Sequence, residues 1–213
     1  MVKAAIIGCG KIAQVRHIPE YLEHQAVNLV GFYDLNEKRA EELAEKYGGK
    51  AYGSVEELLA DPQIDAVSIC TANHTHAELT IKALKAGKHV LCEKPMAITL
   101  EECQRMVECA EENHRKLLIG QNQRLTRTHQ IARKLIADGE IGNVLSFQTS
   151  FQHSGPESWS VDAGKNTWFF QKKAAAMGVM GDLGIHKTDL IQYLLDDQIV
   201  EVTAEFSTLD KCY

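Results

Sequence analysis

Short uninterrupted apolar runs alternate with amphipathic stretches through the first half of the chain. Val2–Ile7 and Val27–Tyr33 are two such runs. Each precedes a stretch of helical period, the first reaching about Glu23 and the second reading "NEKRAEELAEKY". In "SVEELLA", Ser54 followed by Glu57 forms a capping box that predicts a helix start, and "DAVSIC" at Asp65–Cys70 is the next apolar run. A helix over Thr75–Ala86 is closed by Gly87. "KHVLCEKP" reads as a strand stopped by Pro95, a second capping box at Thr99 and Glu102 opens a helix to Asn113, and "KLLIG" ends the series. Strands without polar alternation are covered on both faces, so residues 1–121 are predicted to form a doubly wound α/β domain with a parallel sheet.

Beyond residue 121 the pattern changes. A helix at about Thr126–Asp138 is followed by the alternating run "NVLSFQTSFQ", a polar stretch at Ser154–Asn166, a helix over about Val179–Leu195 and a second alternating run, "IVEVTAEFST". Residues 122–213 are therefore predicted to form an α+β domain with a mainly antiparallel sheet. Val200, Val202, Ala204 and Phe206 would share one apolar strand face that needs partners on either side, so this sheet reads as incomplete. The region after about Asn122 is expected to be the less stable and more association-prone part.

Composition removes several function classes. The chain has 213 residues, 45% of them hydrophobic, and a formal net charge of −6 without a basic stripe, which argues against nucleic acid as a partner. No apolar run approaches the roughly 20 residues of a membrane-spanning helix, and the start lacks the layout of a signal peptide; cytoplasmic residence is the expectation. The six cysteines include no CxxC pair and read as reduced core thiols. His74 and His76 have no neighbouring carboxylate or thiol to complete a ligand set, so no metal is expected.

Against this background "GCGKIA" acquires meaning, because it lies between the first strand and the first helix. Gly8 permits the tight turn, Gly10 lets a pyrophosphate approach the backbone, and Ala13 is small enough for close helix–strand packing. The turn residues Gly8, Cys9, Gly10, Lys11 and Ile12 are thus candidate dinucleotide ligands, their anion held by free N–H groups and the helix dipole. Asp34 ends the second strand, where a carboxylate accepts hydrogen bonds from ribose hydroxyls and repels a 2′-phosphate; the expected cofactor is NAD rather than NADP. Two features compete with that reading: Lys38 and Arg39 could offset the repulsion, and Asp34 could serve only as a helix cap.

Asp182, His186 and Asp189 are spaced to share one face of a helix, with Leu183, Leu190 and Leu194 on another. Oxidation of an alcohol requires a base for its hydroxyl proton; His186 suits that task, with Asp182 placed to orient it or share its proton. Lys94, at the carboxyl end of a parallel strand, could stabilise a developing alkoxide. A surface lysine and a local Asp–His hydrogen bond are the ordinary alternatives.

Taken in order, "GCGKIA", "TANHTH" at Thr71–His76, "EKP" at Glu93–Pro95 and "GDLGIHKTD" at Gly181–Asp189 resemble the glucose-fructose oxidoreductase and inositol 2-dehydrogenase family over essentially the whole chain. The resemblance implies a nicotinamide-dependent dehydrogenase acting on a hydroxyl of a sugar, cyclitol or related polyol. It assigns catalysis to Lys94, Asp182 and His186. Thr71, Asn73, His76, Glu93 and Lys94 would serve the cofactor, Gln123 and Arg124 would reach the nicotinamide or substrate, and Trp168 would wall the substrate pocket. It further implies a homo-oligomer for the full-length form. Ala72 stands where the family commonly has proline, "AMG" at Ala176–Gly178 where it has a glycine pair, and the family normally continues through further strands. The alternatives are a non-catalytic dinucleotide-sensing regulator, which would need the turn but neither Lys94 nor His186, and a shortened, inactive member.

Overall fold

The computed structural model describes residues 1–162 and 167–208. The chain divides into two compact units, Met1–Gly120 with Gly155–Ala176 and Gln121–Ser154 with Met177–Tyr213.

The first unit is built on one parallel sheet. Its strands are β1 (Val2–Ile7), β2 (Val27–Tyr33), β3 (Lys50–Ala51), β4 (Ala66–Ile69), β5 (His89–Cys92) and β6 (Leu117–Ile119), in the spatial order β3-β2-β1-β4-β5-β6. The two-residue β3 gives no periodic signal, which is why the apolar pattern does not show it. A π-helical turn, Ala13–His17, leads into α1 (Ile18–Glu23); α2 (Glu37–Tyr47), α3 (Val55–Ala60), α4 (His76–Lys85) and α5 (Leu100–Glu112) complete the layers.

Successive strand residues serve opposite faces. Ala5 and Ile7 of β1 join Val67, Ile69, Val90 and Cys92 in one core, against Leu58 of α3, Leu84 of α4 and Met106 of α5. Ile6 turns the other way, into a second core with Leu29, Phe32, Ile18 of α1 and Leu43 of α2. Burying one such aliphatic side chain contributes about 1.5–3 kcal/mol, so both sheet faces are strongly anchored.

Helix starts follow local chemistry. Ser54 Oγ accepts from the Glu57 amide at 3.0 Å, and Thr99 Oγ1 from the Glu102 amide at 3.2 Å. The return bonds reach one residue further back than the box predicts: Glu57 Oε2 accepts from the Gly53 amide and Glu102 Oε2 from the Ile98 amide.

The second unit contains α6 (Arg127–Ala137) and, after a π-helical turn at Met180–Gly184, α8 (Ile185–Leu195). The intervening α7 (Lys172–Ala175) belongs to the first unit. The alternating runs at 143–152 and 199–208 were expected to be strands, but neither has a ladder partner among the described residues. Val200, Val202 and Phe206 are exposed. Alternation defines an apolar face, whereas a strand also requires a neighbour to accept its backbone hydrogen bonds. No helix among the described residues is long and apolar enough to cross a membrane.

Candidate functional site

The strand order reverses between β1 and β4, and open α/β sheets bind ligands at such a point, beyond the carboxyl ends of the strands. The glycine turn lies there. Gly8 has φ +93°, and a Cβ on it would stand 2.8 Å from the Cys70 carbonyl carbon and oxygen and from Thr71 Cγ2. Around Gly10, by contrast, a Cβ would meet nothing within 4 Å. The first glycine is required by its neighbours, and the second leaves an open approach to the backbone that suits a pyrophosphate. Lys11 is half-buried, while Ile12 packs on the second core and fixes the turn from below.

Asp34 braces this turn. Its Oδ2 accepts from the Cys9 amide at 2.7 Å, while Oδ1 accepts from the Asn36 amide at 2.8 Å and from Arg39 Nη1 at 3.1 Å. The cap of α2 is Asn36 rather than Asp34, so the carboxylate is not employed as a helix cap. Arg39 Nη2 also donates to Asp162 at 2.6 Å, which ties the later segment of the unit to the region just after β2.

Beyond β4, Thr71 Oγ1 and Thr75 Oγ1 are hydrogen-bonded at 2.7 Å, and Asn73 Nδ2 donates to the Ala175 carbonyl at 3.0 Å. His76 is fully buried, its Nδ1 2.7 Å from the Pro95 carbonyl and its Nε2 3.0 Å from the Thr71 carbonyl. Burial pushes its pKa down. It thereby joins the loops that follow β4 and β5. His74 is exposed, so the two histidines do not converge.

After β5, Glu93 is buried and its carboxylate is divided. Oε1 accepts from His17 Nε2 at 2.8 Å and Oε2 from the Lys94 amide at 3.1 Å. Burial works against the charged form, but the His17 hydrogen bond and the Lys94 charge and amide outweigh it and hold the carboxyl below its usual pKa. Trp168 stacks on Phe169 with centroids 3.9 Å apart.

In the second unit, His186 falls on the same buried stripe as Leu190 and Leu194 rather than on a separate polar face. Its ring lies 5.9 Å from that of Phe151. Asp182 lies in the π-helical turn, where the period of α8 does not apply, with its Oδ2 3.5 Å from His153 Nε2. Asp189 forms a two-pronged pair with Arg124, one prong at 2.7 Å, and this hydrogen bond raises the Arg124 pKa further. Gln123 Oε1 accepts from Lys187 Nζ at 2.9 Å. Gln123 and Arg124 thus each engage a residue next to, or one turn from, His186.

Residues 2–121 match the family model described as oxidoreductase family, NAD-binding Rossmann fold, and residues 129–212 match that of the GFO/IDH/MocA C-terminal domain. The chain belongs to the GFO/IDH/MocA oxidoreductase family. It is 35% identical over 211 residues to glucose-6-phosphate 3-dehydrogenase of Bacillus subtilis, covering 98% of this chain and 58% of the relative. It is 31% identical to myo-inositol 2-dehydrogenase of Thermotoga maritima, covering 98% and 59%. Among solved structures, GenD2 from gentamicin A biosynthesis in complex with NAD superposes with a TM-score of 0.79 at 28% identity, covering 91% of this chain and 53% of that one. This GFO/IDH/MocA member spans somewhat over half the length of the curated relatives it matches.

Sequence reasoning missed His17, Ser68, Tyr21 and His153 at or beside these groups, because each acts through a partner distant in the chain. The thiol beside the turn offers a test. Burial, aided by the charge of Asp34, pushes Cys9 up to about 12; burial raises Cys92 to a similar value and Cys70 well above its ordinary one. Since the thiolate is the nucleophile, iodoacetamide at pH 8 is expected to modify the partly exposed Cys103 in the native protein and spare these three. Peptide mapping checks this, and carboxamidomethylated Cys9 in native protein would contradict the burial argument. Cys212 lies outside the described residues.

Proposed function

We propose that the chain carries the cofactor-binding and catalytic residues of an NAD-dependent dehydrogenase acting on a hydroxyl of a sugar, cyclitol or related polyol. The observation that carries this reading is the turn itself: a sterically required Gly8, an open Gly10, and a carboxylate at Asp34 bonded to the turn's own amide. A bound NAD would supply the hydride acceptor. The amides of the Gly8–Ile12 turn would hold its pyrophosphate, and Asp34 would accept from the ribose hydroxyls. Thr71, Asn73, His76 and Glu93 would form the walls and supports of the same edge, and Gln123 would reach the nicotinamide or the substrate.

His186 takes the proton of the substrate hydroxyl, and Asp182 holds the imidazole in the orientation that accepts it. Lys94 offsets the negative charge that develops on the substrate oxygen. Arg124 and Trp168 complete the substrate surroundings. Residues 1–121 form the cofactor domain, and 122–213 contribute to substrate binding and to a homo-oligomer. The alternating runs at 143–152 and 199–208 supply apolar faces suited to a mainly antiparallel sheet.

The test is to measure NAD reduction against a panel of polyols and sugars; absence of turnover with every member would remove the dehydrogenase reading. Cofactor choice gives a second measurement. NAD(H) is expected to bind more tightly than NADP(H), and Asp34→Ala to narrow the gap by weakening NAD(H). Titrations in which the unmodified protein prefers NADP(H) would reverse the role given to Asp34.

A further inference from the structure

A buried polar chain runs from the first helix to the strand end that bears Lys94. Tyr21 of α1 is hydrogen-bonded through its hydroxyl to Ser68 Oγ of β4. Ser68 Oγ stands 3.3 Å from His17 Nδ1, and His17 Nε2 stands 2.8 Å from Glu93 Oε1. Glu93 Oε2 then accepts the amide of Lys94 at 3.1 Å. His17, Ser68 and Glu93 are all buried.

An ionised carboxylate only accepts, so His17 Nε2 bears the proton facing Glu93. Ser68 Oγ links His17 Nδ1 to the Tyr21 hydroxyl, whose pKa burial raises. Each of these polar side chains has a hydrogen-bond partner.

We infer that His17 is a positioning residue for Lys94, acting through Glu93: it fixes one carboxylate oxygen so that the other fixes the backbone of the lysine. This rests on the reading of Lys94 as the group that stabilises the substrate oxygen. The π-helical turn that carries His17 begins at Ala13, directly after the dinucleotide turn, so the element next to the cofactor amides orients the lysine at the next strand end but one.

The test compares His17→Leu, His17→Gln and Glu93→Gln in the full 213-residue chain. Glutamine can present an amide N–H where His17 Nε2 stands, whereas leucine removes the donor at similar bulk. Glu93→Gln would turn a donor toward one of two N–H groups. The readouts are kcat, KM and NAD affinity, with the Lys94 amide proton resonance in a ¹H–¹⁵N spectrum as a measurement independent of turnover. His17→Leu and Glu93→Gln are expected to lower kcat by about tenfold to a hundredfold, the range expected for misplacing a reacting group, with NAD affinity unchanged in His17→Leu. His17→Gln is expected to restore most of kcat. The Lys94 amide resonance should move in His17→Leu and Glu93→Gln and return toward its parental position in His17→Gln. An amide resonance unmoved in His17→Leu, or a kcat unmoved beside an active parent, overturns the inference. A parent protein inactive on every substrate refutes the dehydrogenase reading, while the amide resonance still decides the link from His17 to Lys94.

Discussion

Alanine at Lys94 or at His186 is expected to lower turnover by about two orders of magnitude or more while leaving NAD affinity nearly unchanged. A positioned base typically contributes 10²–10⁴-fold, which corresponds to about 2.7 kcal/mol or more of transition-state stabilisation. Neither side chain belongs to the turn that holds the pyrophosphate, so the effect belongs in kcat rather than in cofactor binding. Because His186 also lies on the buried stripe with Leu190 and Leu194, its removal leaves a cavity in the second unit. His186→Gln, which keeps most of the volume, is therefore measured beside His186→Ala, with thermal unfolding of both. Near-normal turnover in the Lys94 and His186 variants would place the chemistry elsewhere.

The second large effect separates the two glycines of the turn. Gly8→Ala is expected to destabilise the protein by several kcal/mol and to abolish NAD binding. Its φ of +93° is costly for an L residue, of the order of 1–3 kcal/mol, and the added Cβ would lie 2.8 Å from backbone atoms of Cys70. Those atoms cannot retreat easily, since the Gly8 amide is bonded to the Tyr33 carbonyl at 2.8 Å and the Cys70 amide to the Ile7 carbonyl at 2.8 Å. Gly10→Ala meets no protein atom. Its melting temperature should stay close to the parent's, yet its NAD affinity should fall, because the methyl group enters the space left for the pyrophosphate. Equal melting of both variants would contradict the steric account of Gly8; unchanged NAD affinity in Gly10→Ala would contradict the binding one.

The parallel sheet and its helices were legible because each depends on local patterns: apolar runs for β1, β2, β4, β5 and β6, and side-chain caps at Ser54 and Thr99. The glycine turn was legible for the same reason, being defined by its place between one strand and one helix. What depends on distant pairing was hidden. The series from Tyr21 to Glu93 joins residues up to 76 positions apart through side chains that look ordinary in isolation. The face assigned to His186 was misjudged because i and i+4 stand only about 40° apart on a helix, so His186 shares the stripe of Leu190 within α8 itself; the π-helical turn before α8 shifts only the angular offset of Asp182. The runs at 143–152 and 199–208 show which side would be apolar, but a period of two carries no information about a hydrogen-bonding neighbour.

The first unit is discontinuous in sequence, and the chain passes between the units after Gly120, Ser154 and Ala176. During synthesis, the sheet strands all leave the ribosome before the segment 155–176 does. Until that segment arrives, Asn73 lacks the Ala175 carbonyl and Arg39 lacks the Asp162 carboxylate that they hold in the finished fold. A nascent chain can therefore assemble its strands early, but it acquires the mature surroundings of the nucleotide edge only after the first stretch of the second unit has been made. Order of emergence thus differs from order of completion, and the two units mature as an interleaved pair.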